Sequence, residues 1–148
     1  MQLTVYLAGE IHSDWREQIE AGIERAKLPV TTLSPVTDHA ASDAVGVEIL
    51  GPEERQFWKD HKGGKINTIR TRTMIERSDV VVVKFGEKYR QWNAAFDAGY
   101  AAALKKPIIT LHNAELTHPL KEVDAAALAT AETPDAVVEI LRYITTMQ

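Results

Sequence analysis

Residues 78–111 read SDVVVVKFGEKYRQWNAAFDAGYAAALKKPIITL, and the order of signals in this stretch decides the fold. Val80 to Val83 is an unbroken β-branched run, the pattern of a strand covered on both faces. Gly86 to Arg90 is a polar loop. Trp92 to Leu104 is small or apolar nearly all round and predicts a helix. Lys105-Lys106-Pro107 ends it, because the lysines suit a helix C-terminus and proline cannot continue the helix. Ile108 to Leu111 is the next strand. Strand, helix and strand joined by short loops make a parallel unit, which needs helices on both faces of its sheet.

The same alternation extends in both directions. Leu3, Val5 and Leu7 alternate through a first strand that ends at Gly9. Asp14 and Glu17 form a capping box for a helix that carries Trp15, Ile19, Ile23 and Ala26 on one face and runs to Lys27. Pro29 to Leu33 reads as a second strand, closed by Ser34-Pro35. From Pro35 to Gly64 the periodicity breaks down around Pro52 and four glycines. This predicts a long loop or lid with one short helix at Glu53 to Lys59. Helical spacing resumes at Ile66, Ile69 and Thr73 and ends near Arg77. Ala126 to Thr130 is a weaker fifth strand. Pro134 to Tyr143 is a helix capped by Thr133 with proline at its first position.

A chain of 148 residues has room for one domain with a real core, here expected to span residues 1–148. It contains no cysteine, which excludes disulfides and thiol catalysis. Its apolar runs fall far short of a bilayer span, and Met1 to Thr4 does not open a signal peptide. These features predict a cytoplasmic protein with no membrane partner. A net charge of −4 argues against a nucleic acid polymer as partner.

In open parallel sheets, ligands bind outside the carboxyl ends of the strands near the topological switch point. Ala8 to His12, Ser34 to Asp43 and Phe85 to Asn93 converge on that edge. Gly9 either lets backbone approach a ligand or simply makes the turn. Asp97 is the one acid in the apolar helix, so it is either paired for structure or kept for chemistry. A helical wheel assigns Ala95, Ala98, Gly99 and Ala102 to the sheet-facing stripe and turns Asn93, Asp97, Tyr100 and Leu104 away. A lid or a second subunit then has to cover them. A plainer alternative has Asn93 and Asp97 bonding each other and a lid backbone. Asp38, His39 and Asp43 lack metal-ligand spacing, so no metal is expected. Phe57 to Lys65 reads as a solvated lid, Arg70, Arg72 and Arg77 as a solvated face or an interface, and His112 as a structural residue within reach of the pocket edge.

Several of these segments are familiar. Tyr6-Leu7-Ala8-Gly9, Ser78-Asp79-Val80-Val81-Val82, Phe96-Asp97-Ala98-Gly99-Tyr100-Ala101 and Lys106-Pro107-Ile108-Ile109 resemble the nucleoside 2-deoxyribosyltransferase superfamily. Glu10-Ile11-His12, Asp14-Trp15-Arg16, Phe85 to Tyr89 and Gln91-Trp92-Asn93 resemble its YtoQ branch over nearly the whole chain. The resemblance implies an α/β, flavodoxin-like (Rossmann-like) three-layer sandwich whose five parallel strands lie in the order 2-1-3-4-5. It also implies cleavage of the N-glycosidic bond of a 2′-deoxynucleoside or nucleotide, with Asp97 as nucleophile in the place of the superfamily's glutamate and Asn93 orienting it. Tyr6, Ala8, Gly9, Glu10, His12, Gln91 and Trp92 would then contact the substrate. Neither a metal nor a redox cofactor is required, and a homo-oligomer is expected. Two departures weaken the match. Aspartate is shorter than glutamate by roughly 1.5 Å. By spacing, Thr71 and Gln91 stand where the superfamily tends to place further acids. A non-catalytic nucleoside sensor and a structural oligomer are the competing expectations.

Overall fold

The computed structural model describes residues 1–88 and 90–146. Five parallel strands form one sheet, β1 (Leu3–Gly9), β2 (Val30–Leu33), β3 (Val80–Lys84), β4 (Ile108–Leu111) and β5 (Ala129–Ala131), in the order β2-β1-β3-β4-β5. The helices are α1 (Trp15–Arg25), α2 (His39–Leu50), α3 (Gln56–Arg77), α4 (Trp92–Ala103), α5 (Lys121–Ala126) and α6 (Pro134–Thr146). The fold is flavodoxin-like. Strand side chains alternate between the two faces of the sheet, and so the core divides in two. Val5, Leu7, Val82, Ile109 and Leu111 pack with Trp15, Ile19, Val137 and Leu141 from α1 and α6. Tyr6, Ala8, Val81, Val83 and Ile108 pack on the opposite face with Ile75 of α3 and Ala94, Ala98 and Ala101 of α4.

The largest correction falls on Pro35 to Gly64. In place of a long loop, α2 fills residues 39–50 and α3 runs unbroken for 22 residues from Gln56. The short helix expected from Glu53 is the first turn of α3, which continues without a break through Lys65 and Ile66. Two of the glycines taken as breakers serve a helix–helix crossing. A Cβ on Gly46 would stand 2.2 Å from the Gly63 backbone nitrogen, and a Cβ on Gly63 would stand 3.2 Å from the Asp43 carbonyl oxygen. Only side-chain-free positions allow α2 and α3 to approach this closely. Asp38 caps α2 by accepting a hydrogen bond from the Ala41 N–H at 3.0 Å.

Smaller adjustments follow the same physics. Asp14 begins α1 without a capping bond and instead accepts from Gln18 Nε2 at 2.8 Å. The fifth strand lies at Ala129–Ala131, with α5 occupying part of the segment assigned to it. Thr133 caps α6 as expected, accepting from the Ala136 N–H at 3.2 Å. Asp79 ties β1 to the start of β3 by accepting from the Thr4 N–H at 2.8 Å. His112 is buried away from the cavity described below, and its Nε2 lies 3.0 Å from Asp124 Oδ2. No helix among the described residues is long and apolar enough to cross a membrane.

Candidate active site

The strand order reverses between β1 and β3, and the loops leaving their carboxyl ends diverge there. A cavity of about 620 Å³ opens at this point, bounded by the Gly9–His12 loop, residues 35 and 36, the α2–α3 hairpin and the first half of α4. All three segments expected at this edge therefore contribute to it. The size falls in the range of small-molecule sites.

The β1 side of the wall is rigid for reasons that can be named. Gly9 has φ +105, and a Cβ there would stand 2.2 Å from the Lys84 carbonyl oxygen, so only glycine keeps β1 and β3 paired to their ends. The Arg16 side chain is buried and donates to the carbonyls of Leu7, Gly9 and Glu10 at 3.0, 3.0 and 2.6 Å. Trp15 Nε1 donates to the same Glu10 carbonyl at 2.7 Å. Burial lowers the Arg16 pKa, and the three carbonyls return part of the solvation that the guanidinium has lost. The Glu10 carboxylate is spent locally, accepting from the His12 N–H and from Ser13 Oγ at 2.5 Å. Glu10 is thus a clamp on its loop and not a free acid. Gly86, in the loop after β3, lies against it, where a Cβ would meet Glu10 Cγ at 2.7 Å.

On the α4 side, Asp97 is partly buried in the cavity wall, and it accepts no hydrogen bond and forms no ion pair among the described residues. Burial alone raises its pKa from 3.8 to about 7. Asn93 stands on the exposed rim and makes no bond to Asp97 among the described residues, so the plainer alternative of a mutually bonded pair is not what the site contains. The wheel was rotated. Ala94, Ala98 and Ala101 face the sheet, and Gly99 faces outward. Tyr100 turns toward α3, where its hydroxyl donates to Glu76 Oε1 at 2.6 Å and its ring lies 5.2 Å below the Arg72 guanidinium.

Of the residues expected to touch a substrate, Gly9, Glu10, His12, Gln91 and Trp92 line the cavity with Asn93 and Asp97. Ala8 and Tyr6 do not, because β1 turns both onto the face covered by α3 and α4. Tyr6 is fully buried, and its hydroxyl has no hydrogen bond of full geometry among the described residues. Burial pushes its pKa up to about 12, an effect that nearby Thr71 opposes and the Asp97 charge reinforces. The ring therefore stays a neutral phenol close to Asp97. Gln91 Oε1 accepts from the Gly86 N–H at 2.7 Å, which fixes the amide orientation and leaves the buried Nε2 without a partner among the described residues. Tyr89 lies outside the described residues.

From α2 and α3, Ser42, Asp43, Asp60, Asn67, Arg70 and Thr71 line the cavity. Ser42 and Asp43 fall in a segment expected at this edge, whereas Asn67, Arg70 and Thr71 fall in the helical stretch expected from Ile66, whose turn toward the cavity was not legible while α2 was read as loop. Asp43 pairs with His39 at 3.2 Å. No cluster of three acidic, histidine or cysteine side chains with metal-binding geometry occurs among the described residues.

The comparisons with known proteins concern this same chain length. A model of the family described as nucleoside 2-deoxyribosyltransferase YtoQ matches residues 6–145. The chain is 44% identical to the uncharacterized protein YtoQ of Bacillus subtilis (strain 168) over 144 residues, 97% of each chain. The chain belongs to the YtoQ family. Solved structures extend the likeness at the level of fold. A conserved protein from Enterococcus faecalis V583 matches with TM-score 0.66 and 13% identity over 97% of this chain and 99% of that one. The 2-deoxyribosyltransferase of Bacillus psychrosaccharolyticus matches with TM-score 0.54 and 18% identity, covering 91% and 90%. The CMP N-glycosidase BcmB of Clostridium botulinum matches with TM-score 0.54 and 13% identity, covering 95% and 98%. YtoQ proteins thus share the flavodoxin-like framework of enzymes that act on N-glycosides.

Proposed function

We propose that this YtoQ-family protein cleaves the N-glycosidic bond of a 2′-deoxynucleoside or nucleotide, with Asp97 as the nucleophile. The observation that carries the reading is an unpaired, partly buried carboxylate in the wall of a cavity at the switch point. A protein gains nothing structural by holding such a group dry and unpartnered. An Asp97 oxygen attacks the anomeric carbon, and the base departs with the electrons of the C–N bond. A deoxyribosyl ester results, which water or a second base then opens at the same carbon, restoring the carboxylate. The neutral Tyr6 phenol lies near Asp97, and the Gln91 Nε2 donor, without a partner among the described residues, suits a carbonyl or ring nitrogen of the base. The test is release or exchange of base across a panel of deoxynucleosides and their 5′-monophosphates. Because only ionised Asp97 attacks, turnover should rise with pH through about 7 and level off above it. A rate that falls across the same range would make Asp97 a proton donor instead.

Thr71 and Gln91, which line the cavity where the superfamily tends to place acids, favour one competing reading, a nucleoside-binding protein without turnover. Measurable affinity with no base release would establish it. The family's fold and the cavity argue for a small-molecule ligand in either case. The outward face of α4 leaves Trp92 73% and Phe96 59% exposed beside the cavity mouth, with Gly99 and Ala103 continuing the strip. We assign this face to a second copy of the chain. Sedimentation should show a dimer or larger assembly that dissociates when Trp92 and Phe96 are both changed to Lys, whereas a monomeric wild-type protein would refute the assignment.

A further inference from the structure

We propose that the cavity takes its nucleoside as a 5′-monophosphate, held between Arg70 of α3 and Arg90 of the loop before α4. This inference rests on the reading of the cavity as a nucleoside site and adds the chemical class of the ligand.

Arg70, Arg72 and Arg90 line the cavity with His12 and His39. His39 is matched by Asp43 at 3.2 Å, and Arg72 lies over the Tyr100 ring at 5.2 Å. Arg70 and Arg90 meet no carboxylate within ion-pair distance among the described residues. Among the described residues Arg70 makes only a long donation to the Ser34 carbonyl at 3.4 Å. None of the cavity's acids lies within ion-pair distance of them among the described residues. Glu10 is held by the His12 N–H and Ser13, Asp43 by His39, and Asp60 accepts from Gln56 Nε2 at 2.7 Å. Asp97 is the acid left, reserved for the sugar carbon.

A neutral nucleoside returns nothing to two arginines whose hydration it displaces. A phosphate dianion does. It offers three acceptor oxygens to two planar guanidinium forks that line the same cavity, and such charge-assisted bonds are stronger than neutral ones. Two arginines without a carboxylate partner among the described residues thus line one cavity.

The experiment is calorimetric binding to Asp97→Asn protein, which removes turnover, using the four common deoxynucleosides, their 5′-monophosphates and inorganic phosphate. For at least one base the monophosphate should bind tenfold or more tightly than its nucleoside, and the ratio should shrink as salt rises. Arg70→Gln and Arg90→Gln, both at exposed positions, should each bring that ratio toward one by weakening the monophosphate more than its nucleoside. Nucleosides that bind as tightly as their monophosphates, or a ratio that neither replacement changes, would overturn the inference and leave the proposed reaction intact. Inorganic phosphate binding as tightly as the nucleotide would also overturn it, since the site would then be a free-anion site. Absence of binding by every nucleoside and monophosphate would overturn both.

Discussion

Asp97→Asn should abolish base release while making the protein more stable at neutral and alkaline pH. On activity, removal of a covalent nucleophile is expected to cost on the order of 10³-fold or more in kcat. On stability, the sign follows from the raised pKa. The unfolded chain gives up the Asp97 proton near pH 3.8 and the folded chain gives it up near 7. Between those values the folded state holds a proton that the unfolded state has released, so stability falls as pH rises across the window. The penalty is complete above pH 7 and absent below about 3.8. Its ceiling is ~4 kcal/mol at 1.36 kcal/mol per unit, and the open cavity beside the group reduces it to an expected 1–2 kcal/mol, about 3–6 °C in Tm. Asparagine carries no such penalty. Melting curves at pH 8 and pH 4 should therefore show a gain at pH 8 that disappears at pH 4. A structural carboxylate gives the opposite result, a loss of about 3–5 kcal/mol when its charge is removed from a buried pair. A lower Tm at pH 8 with turnover retained would refute the nucleophile assignment.

Gly9→Ala should be among the most damaging single-methyl changes in the chain. Its Cβ would stand 2.2 Å from the Lys84 carbonyl oxygen, a backbone atom that cannot rotate away, at φ +105. Left-handed backbone costs a non-glycine residue roughly 1–2 kcal/mol, and forcing apart a packed contact costs roughly 1–3 more. A loss of about 3 kcal/mol is a large fraction of the ~5–15 kcal/mol that holds a domain folded. The strain also bears on the site, because β1 separates from β3 where the Glu10 N–H meets the Lys84 carbonyl at 3.1 Å. The Gly9–His12 wall then moves. Urea denaturation should show the lower midpoint, and ligand affinity should fall in the fraction still folded. Wild-type stability in this variant would mean that the β1–β3 junction is looser than its geometry requires.

Much of this was legible from local pattern. The valine run of β3, the alternation in β1 and the Lys-Lys-Pro stop after α4 each report a strand or helix through a handful of neighbouring residues, and parallel order follows from their succession. Asp97 was conspicuous for the same reason, as an acid among alanines. The α2–α3 hairpin was illegible because Gly46 and Gly63 look like breaks unless the helix that packs against them is known. With it went the orientation of Arg70 toward the cavity. The stripe of α4 was misassigned because with alanine or glycine at seven of the twelve helix positions small side chains mark almost every face, and no periodicity singles out the one that meets the sheet.

The sequence by itself determined the strands, their parallel arrangement, the family and the conspicuous acid of α4, since each is carried by the identity and spacing of adjacent residues. Only the tertiary structure decided that Glu10 is a clamp, that Tyr6 lies beneath the cavity and not on its surface, and that Arg70 and Arg90 share one wall-to-wall space with Asp97. Those properties depend on what desolvates or neutralises each group, and the atoms responsible come from segments far apart in the chain.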